Sequence, residues 1–192
     1  MAKLKLGMVG GGQGAFIGGV HRIASRIDNH YELVAGSLAS NPEIAHVSAK
    51  ELGINDDRSY ATFQDMAEKE SLREDGIDVV AIVTPNYLHY PIAEAFLSKN
   101  IHVICDKPLT HNLEDAEKFL ESTKKSKALF ALTHNYTGYP MVRQAREMFR
   151  NGEIGNLRVI QVEYAQDWLT FPIENEGQKQ ASWRTDPSKA GM

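Results

Sequence analysis

Cysteine is almost absent: Cys105 is the only one in 192 residues. A lone thiol makes neither a disulfide framework nor a cysteine-rich metal site, and it points to a reducing, cytoplasmic setting. Basic clusters are scarce too. The net charge is -4 and nothing larger than the pair Lys124-Lys125 stands out, which gives nucleic-acid binding no support. There is no long apolar run. Lys3 and Lys5 precede an apolar stretch that glycines interrupt within a few residues, too short for a signal peptide or a membrane span. No His/Asp/Glu set has zinc spacing, so no metal site is expected. Repeats and low-complexity tracts are missing as well. What remains is ordinary globular composition, 42% hydrophobic and 24% charged, in a length that suits one domain plus part of another.

The chain alternates between two kinds of segment. Short apolar runs at residues 4–9, 31–35, 78–83, 101–105 and 129–132 read as strands. The run "DVVAIV" is nearly all apolar, as a strand buried on both faces must be. Helical patterns separate them. One follows the first strand over residues 20–27. A second opens at Asn41-Pro42-Glu43, a capping side chain, a proline at the first helical position and an acid at the positive helix end; it runs to Leu52 and stops at Gly53. Thr62 caps a third, and residues 91–97 and 113–120 carry two more. This rhythm predicts βαβ units and a doubly wound parallel sheet, a Rossmann-type α/β fold over residues 1–137. After Pro140 the rhythm breaks. A helix over residues 140–150 and a longer strand over 157–164 read as the start of an α+β second domain, residues 138–192.

Six glycines crowd the stretch "VGGGQGAFIGGVH" between the first strand and the first helix. A helix N-terminus there presents free N–H groups and partial positive charge, and a diphosphate fits only where side chains are out of the way. Gly10-x-Gly12-x-x-Ala15 matches the dinucleotide fingerprint. A second registration uses Gly10, Gly12 and Gly18, with three extra residues. It is preferred because Gly18-Gly19 lie where close helix–strand packing needs glycine. Gly14-Ala15-Phe16 then bulge over the phosphates or the nicotinamide. The loop nominates Gly10, Gly12, Gln13, Gly14, Ala15, Phe16 and Ile17 as cofactor-binding residues. A valine at Gly12 is expected to fill the diphosphate space. No Gly-Lys-Ser/Thr follows, which excludes a Walker-type loop. At the end of the second strand, residues 36–41 hold neither an acid nor a base. The hydroxyls of Ser37 and Ser40 suit NAD or NADP alike.

Three further stretches follow predicted strands: "VTPNYLH" at residues 83–89, "CDKPLT" at 105–110 and "THNYTGYP" at 133–140. With the glycine loop they resemble the Gfo/Idh/MocA family of oxidoreductases, along nearly the whole chain. The resemblance implies that Thr84, Pro85 and Asn86 line the dinucleotide near the nicotinamide ribose. Asp106-Lys107-Pro108 matches the family's Glu-Lys-Pro, with Asp in place of Glu. Lys107 is then the catalytic residue, hydrogen-bonded to the reacting oxygen. Asp106, Lys107, His89 and Asn135 complete the implied cofactor set, and the Lys107–Pro108 peptide is a candidate for the cis form. Tyr136, Trp183 and Arg184 are substrate candidates. Thr137-Gly138 stand where many members have an arginine.

The implied activity is NAD- or NADP-dependent hydride transfer between nicotinamide and a carbinol carbon of a sugar, cyclitol or related polyol. The alternative is a non-catalytic dinucleotide-binding module or regulator. The family also has a Gly-Asp element followed by a proton-accepting histidine, after a glycine-rich stretch that begins here at Ala190-Gly191. The chain is therefore expected to be a truncated form of low activity, a homo-oligomer when full length, with an unpaired apolar edge at 157–164. Other residues take plainer roles. His89 has a second reading, as a residue that caps or packs near the cofactor loop; His21 supports the glycine loop, His102 lies in core or surface, and Cys105 is a buried strand-end thiol rather than a nucleophile.

Overall fold

The apolar runs become five parallel strands: β1 (Leu4–Gly10), β2 (Tyr31–Ser37), β3 (Val79–Val83), β4 (His102–Asp106) and β5 (Phe130–Thr133). The computed structural model describes residues 2–168 and 170–191. The strand order is β2-β1-β3-β4-β5. Winding reverses between β1 and β3, whose carboxyl ends meet at the pair Gly10 and Val83. That reversal opens the crevice in which open α/β sheets bind ligands.

Both faces of the sheet are covered, and β3 is buried throughout. Val80 and Ile82 pack with Ile92, Phe96 and Phe119 on one face. Val79, Ala81 and Val83 pack with Leu6, Met8 and Leu38 on the other. The period of two thus divides one apolar strand between two cores. The helices are α1 (Phe16–Ile27), α2 (Pro42–Glu51), α3 (Phe63–Leu72), α4 (His89–Leu97) and α5 (Leu113–Lys125). Asn41 caps α2, accepting from the N–H of Glu43 and Ile44, and Thr62 caps α3 through Asp65 N–H. Asn112 caps α5 through Asp115 N–H. Near α3 a buried carboxylate is fully partnered. Glu70 accepts from Tyr60 Oη at 2.7 Å, from Arg58 Nε at 3.0 Å and from Ile77 N–H at 3.1 Å, and it is ion-paired with Arg58 Nη2.

The first unit takes in residues 2–133 and also 186–191; residues 134–185 form the second. The boundary falls before His134 rather than after Thr137, and the last residues return to the first unit through α8 (Pro187–Ala190), which follows α6 (Pro140–Arg150) and α7 (Lys179–Arg184) in the chain. Two expectations are corrected. Residues 157–164 form no strand, and the second unit, among its described residues, is helical and irregular. A strand exists only as hydrogen bonds to a neighbour, and apolar content alone does not supply one; Val159 and Val162 stand more than four-fifths exposed. The helix α1 starts at Phe16, ahead of the expected residue 20. Gly18 and Gly19, expected directly before it, lie inside it.

Candidate cofactor and catalytic site

The glycines of the first loop have separate jobs. Gly10 and Gly11 turn the chain with φ of 81° and 76°, a region that side-chain-bearing residues avoid. A Cβ on Gly18 would sit 2.4 Å from the Gly11 Cα, so α1 meets the loop backbone to backbone. Arg22, one turn on, donates from Nη1 to Gly11 O at 2.7 Å. Burial pulls the Arg22 pKa down, and Arg26 adds to the effect.

Gly12 overturns its expected reason. A Cβ there would meet Leu38 O and Ser48 Oγ, each at 2.8 Å, so it is the protein's own packing that excludes a side chain. The Gly12 N–H donates to Leu38 O at 3.0 Å, and the Gln13 N–H to Ser48 Oγ at 2.9 Å. Gln13 Nε2 adds a bond to Glu51 Oε1 at 2.6 Å. These donors are committed to the β2–α2 side. Beyond them the loop is open. Gly14 has φ of 73° with nothing within 4 Å of its Cβ position. The helix then starts without a cap. Ala15 supplies no side-chain acceptor, and the first turn holds no acid, unlike α2, α3 and α5. The N–H groups of Phe16, Ile17 and Gly18 have no intrahelical partner. An anion suits such a helix start.

The second loop follows β3. The Thr84 hydroxyl is buried and, among the described residues, is the one buried side-chain polar atom without a partner. Asn86 Nδ2 donates to Ala190 O at 2.7 Å, which moors α8 to this loop. Buried His89 puts Nδ1 2.7 Å from Pro108 O and Nε2 3.0 Å from Thr84 O. Burial pulls the His89 pKa down and Lys107 adds to that, while the two carbonyls and Asp106 oppose it. At 1% exposure its ring offers a ligand no surface, so the expected cofactor contact becomes support from beneath.

The third loop follows β4. Asp106 Oδ1 accepts from Thr133 Oγ1 at 3.0 Å and lies 3.9 Å from His21 Nε2. Burial alone would raise the Asp106 carboxyl; His21, Thr133 and the Lys107 backbone outweigh it and hold it below the usual carboxylate range. Lys107 is exposed and has no ion pair among the described residues. The Lys107–Pro108 peptide is cis. Cys105 is fully buried, and burial, with Asp106, pushes its thiol pKa up, as an inert thiol requires.

The first unit therefore brings together the glycine loop, Ser37 and Ser40 at the end of β2, Thr84–Asn86 and Asp106–Lys107 at the carboxyl ends of the strands. An uncapped helix start, an open glycine and an orphaned hydroxyl fit a dinucleotide. Asn135, Tyr136, Trp183 and Arg184 belong to the second unit. There Tyr136 Oη pairs with Tyr164 Oη at 2.7 Å, and the Arg184 guanidinium stacks 4.8 Å over Trp183 and 5.7 Å from the Trp168 ring. Sequence reasoning missed the Asp106 pairing with His21 and Thr133, the Arg22 bond and the Asn86–Ala190 bond. Each joins segments far apart in the chain, and only the polar residue types hinted at them. Among the described residues no group of three or more His, Cys, Asp or Glu is placed to hold a metal, and no helix is long and apolar enough to cross a membrane.

Comparison with known proteins gives the family. Residues 4–134 match Gfo/Idh/MocA, described as an oxidoreductase family with an NAD-binding Rossmann fold. The crystal structure of an oxidoreductase from Sinorhizobium meliloti is 59% identical, with a TM-score of 0.83, covering 88% of this chain and 47% of that one. An inositol dehydrogenase homologue from Azotobacter vinelandii complexed with NAD+ is 36% identical, with a TM-score of 0.91, covering 98% of this chain and 48% of that one. The same homologue has also been solved with NADH and myo-inositol. Levoglucosan dehydrogenase from Pseudarthrobacter phenanthrenivorans is 30% identical over 100% of this chain and 47% of its own. The chain spans about half the length of the relatives it matches.

Proposed function

The chain belongs to the Gfo/Idh/MocA family of oxidoreductases with an NAD-binding Rossmann fold, and from that premise we propose that its first unit holds NAD or NADP for hydride transfer to or from a carbinol carbon of a sugar, cyclitol or related polyol. The observation that carries this reading is Lys107, an exposed lysine with no ion pair among the described residues, just past the carboxyl end of β4, beside a partnered Asp106 and the Thr84 loop.

The N–H groups of Phe16, Ile17 and Gly18 would hold the diphosphate, Ser37 and Ser40 the adenosine ribose, and Thr84 and Asn86 the nicotinamide half. Bound nicotinamide supplies the hydride acceptor or donor. The chain's own contribution is electrostatic. The Lys107 ammonium donates a hydrogen bond to the oxygen of the reacting carbon and steadies the negative charge that grows there as the alcohol loses its proton. The Asp106 carboxylate, fixed by Thr133, anchors the strand end from which Lys107 projects. One relative solved in complex with myo-inositol and another named levoglucosan dehydrogenase support ring polyols as first substrates.

Calorimetric titration with NADH and NADPH tests the binding half. Turnover of myo-inositol and levoglucosan tests the rest. Lys107→Met should keep NADH affinity within about twofold and lower turnover by about 10²–10³, the range for one lost charge-stabilising donor. Tight NADH binding with no turnover of any polyol by the unaltered chain would favour the reading as a binding module.

A further inference from the structure

His89 has an unusual set of neighbours. Both ring nitrogens face backbone carbonyl oxygens, 2.7 Å to Pro108 and 3.0 Å to Thr84, and the ring is 1% exposed. A carbonyl only accepts. A neutral imidazole has one N–H and bonds one of the two loops; the imidazolium bonds both. In either state the ring ties one loop of the site to α4, and α4 is packed in the core through Ile92, Phe96 and Leu97. The two oxygens are well chosen. Thr84 O lies in the loop nominated for the nicotinamide half, and Pro108 O is one residue past Lys107. No other side chain described above touches both loops.

We propose that His89 is a positioning residue, which sets the Lys107 turn against the nicotinamide-binding loop by wedging its ring between Pro108 O and Thr84 O, with one of them hydrogen-bonded in the neutral ring and both in the imidazolium. This rests on the cofactor reading above and deepens it. It assigns His89 no contact with cofactor or substrate. The glycine loop and the β2 end are held by other bonds, from Arg22, Leu38 and Ser48. Loss of His89 should therefore be felt at the nicotinamide half and not at the adenosine-diphosphate half.

Two probes separate these halves: NADH, and ADP-ribose, which has the adenosine and diphosphate but no nicotinamide. The readout is the ratio of their affinities, which a general loss of structure does not change selectively. His89→Leu should weaken NADH by about tenfold, the size of one lost buried hydrogen bond, and leave ADP-ribose within about twofold. His89→Asn and His89→Gln each keep one amide donor and should fall between the wild type and His89→Leu. If His89→Leu does not fold, these two decide, since the donors of a planar amide diverge from a single nitrogen and do not span the gap that the two ring nitrogens fill, so each must lower the ratio by at least about threefold. Equal weakening of both probes, or a wild-type ratio in every folded variant, overturns the proposal. A wild-type chain that binds neither probe overturns the cofactor reading and this inference with it; wild-type binding with an unchanged ratio in the variants overturns this inference alone.

Discussion

Gly18 and Gly19 are neighbours in the same helix, yet the structure gives them opposite fates. Alanine at either position removes a glycine from the α1 helix, worth about 0.8–1 kcal/mol of helix propensity. At Gly19 a Cβ would meet only Arg22 Nη2, at 3.9 Å, an ordinary contact. At Gly18 it would lie 2.4 Å from Gly11 Cα and 2.8 Å from Gly11 O, both backbone. Carbon atoms pack at about 3.5–4.0 Å, so α1 must retreat by roughly 1 Å or the loop must. Overpacking of this kind costs about 1–3 kcal/mol, which outweighs the propensity gain. The retreat also moves the free N–H groups of Phe16 to Gly18 relative to the open Gly14. Gly19→Ala should therefore gain about 0.8–1 kcal/mol in urea unfolding and keep its NADH affinity. Gly18→Ala should lose up to about 2 kcal/mol, and its NADH affinity should fall by at least about tenfold, as for a site displaced by an ångström. A Gly18→Ala protein that matches Gly19→Ala in both assays would refute the close-contact account of the loop.

Two further outcomes follow from partnered carboxylates. Glu70→Ala strips the closer of two carboxylate partners from a buried Arg58, leaving Asp75 3.6 Å from its Nη1, and should cost about 3 kcal/mol in urea unfolding; a loss under about 1 kcal/mol would mean the pair contributes little. Asp106 has a folded pKa below its ordinary value, so its contribution to stability is present above the ordinary carboxylate range and is lost as pH falls through the folded value. Asp106→Asn should therefore flatten the acid limb of stability below about pH 4, with circular dichroism at graded pH as the measure, and an unchanged limb would contradict it.

What the sequence made legible is what depends on near neighbours. Asn41-Pro42-Glu43 carries its own helix start, and α2 begins there. The apolar run of β3 needs only burial on both sides, and it has it. The loops after β3 and β4 emerge where strand ends must put them. The errors fall where the partner is remote. Gly18 is a glycine because Gly11 leaves no room for a Cβ, the close packing its place in the sequence pointed to, but it lies inside the helix and not before it. Residues 157–164 have the composition of a strand and lack a strand to pair with. Asn86 reaches Ala190 across 104 positions, beyond any local pattern. His89 looked like a ligand contact because its motif is next to the site; burial, invisible in one sequence, puts it underneath.

The bonds from Gly12 and Gln13 to Leu38 and Ser48 bear on how this protein's coenzyme preference can be redesigned. The segment that would read the adenosine ribose and the loop that would grip the diphosphate are fastened by one main-chain bond, Gly12 N–H to Leu38 O, and α2 adds the Ser48 hydroxyl, which accepts from Gln13 N–H. A grafted β2–α2 loop of different length would move Leu38 O, drag Gly12 with it and damage the grip on either coenzyme before any preference was gained. Side-chain exchanges are another matter. Ala39 is partly exposed and Ser40 exposed, and neither takes part in these bonds. A switch toward NADP is best sought by placing an arginine at one of these two positions and leaving the backbone from Gly36 to Asn41 as it stands.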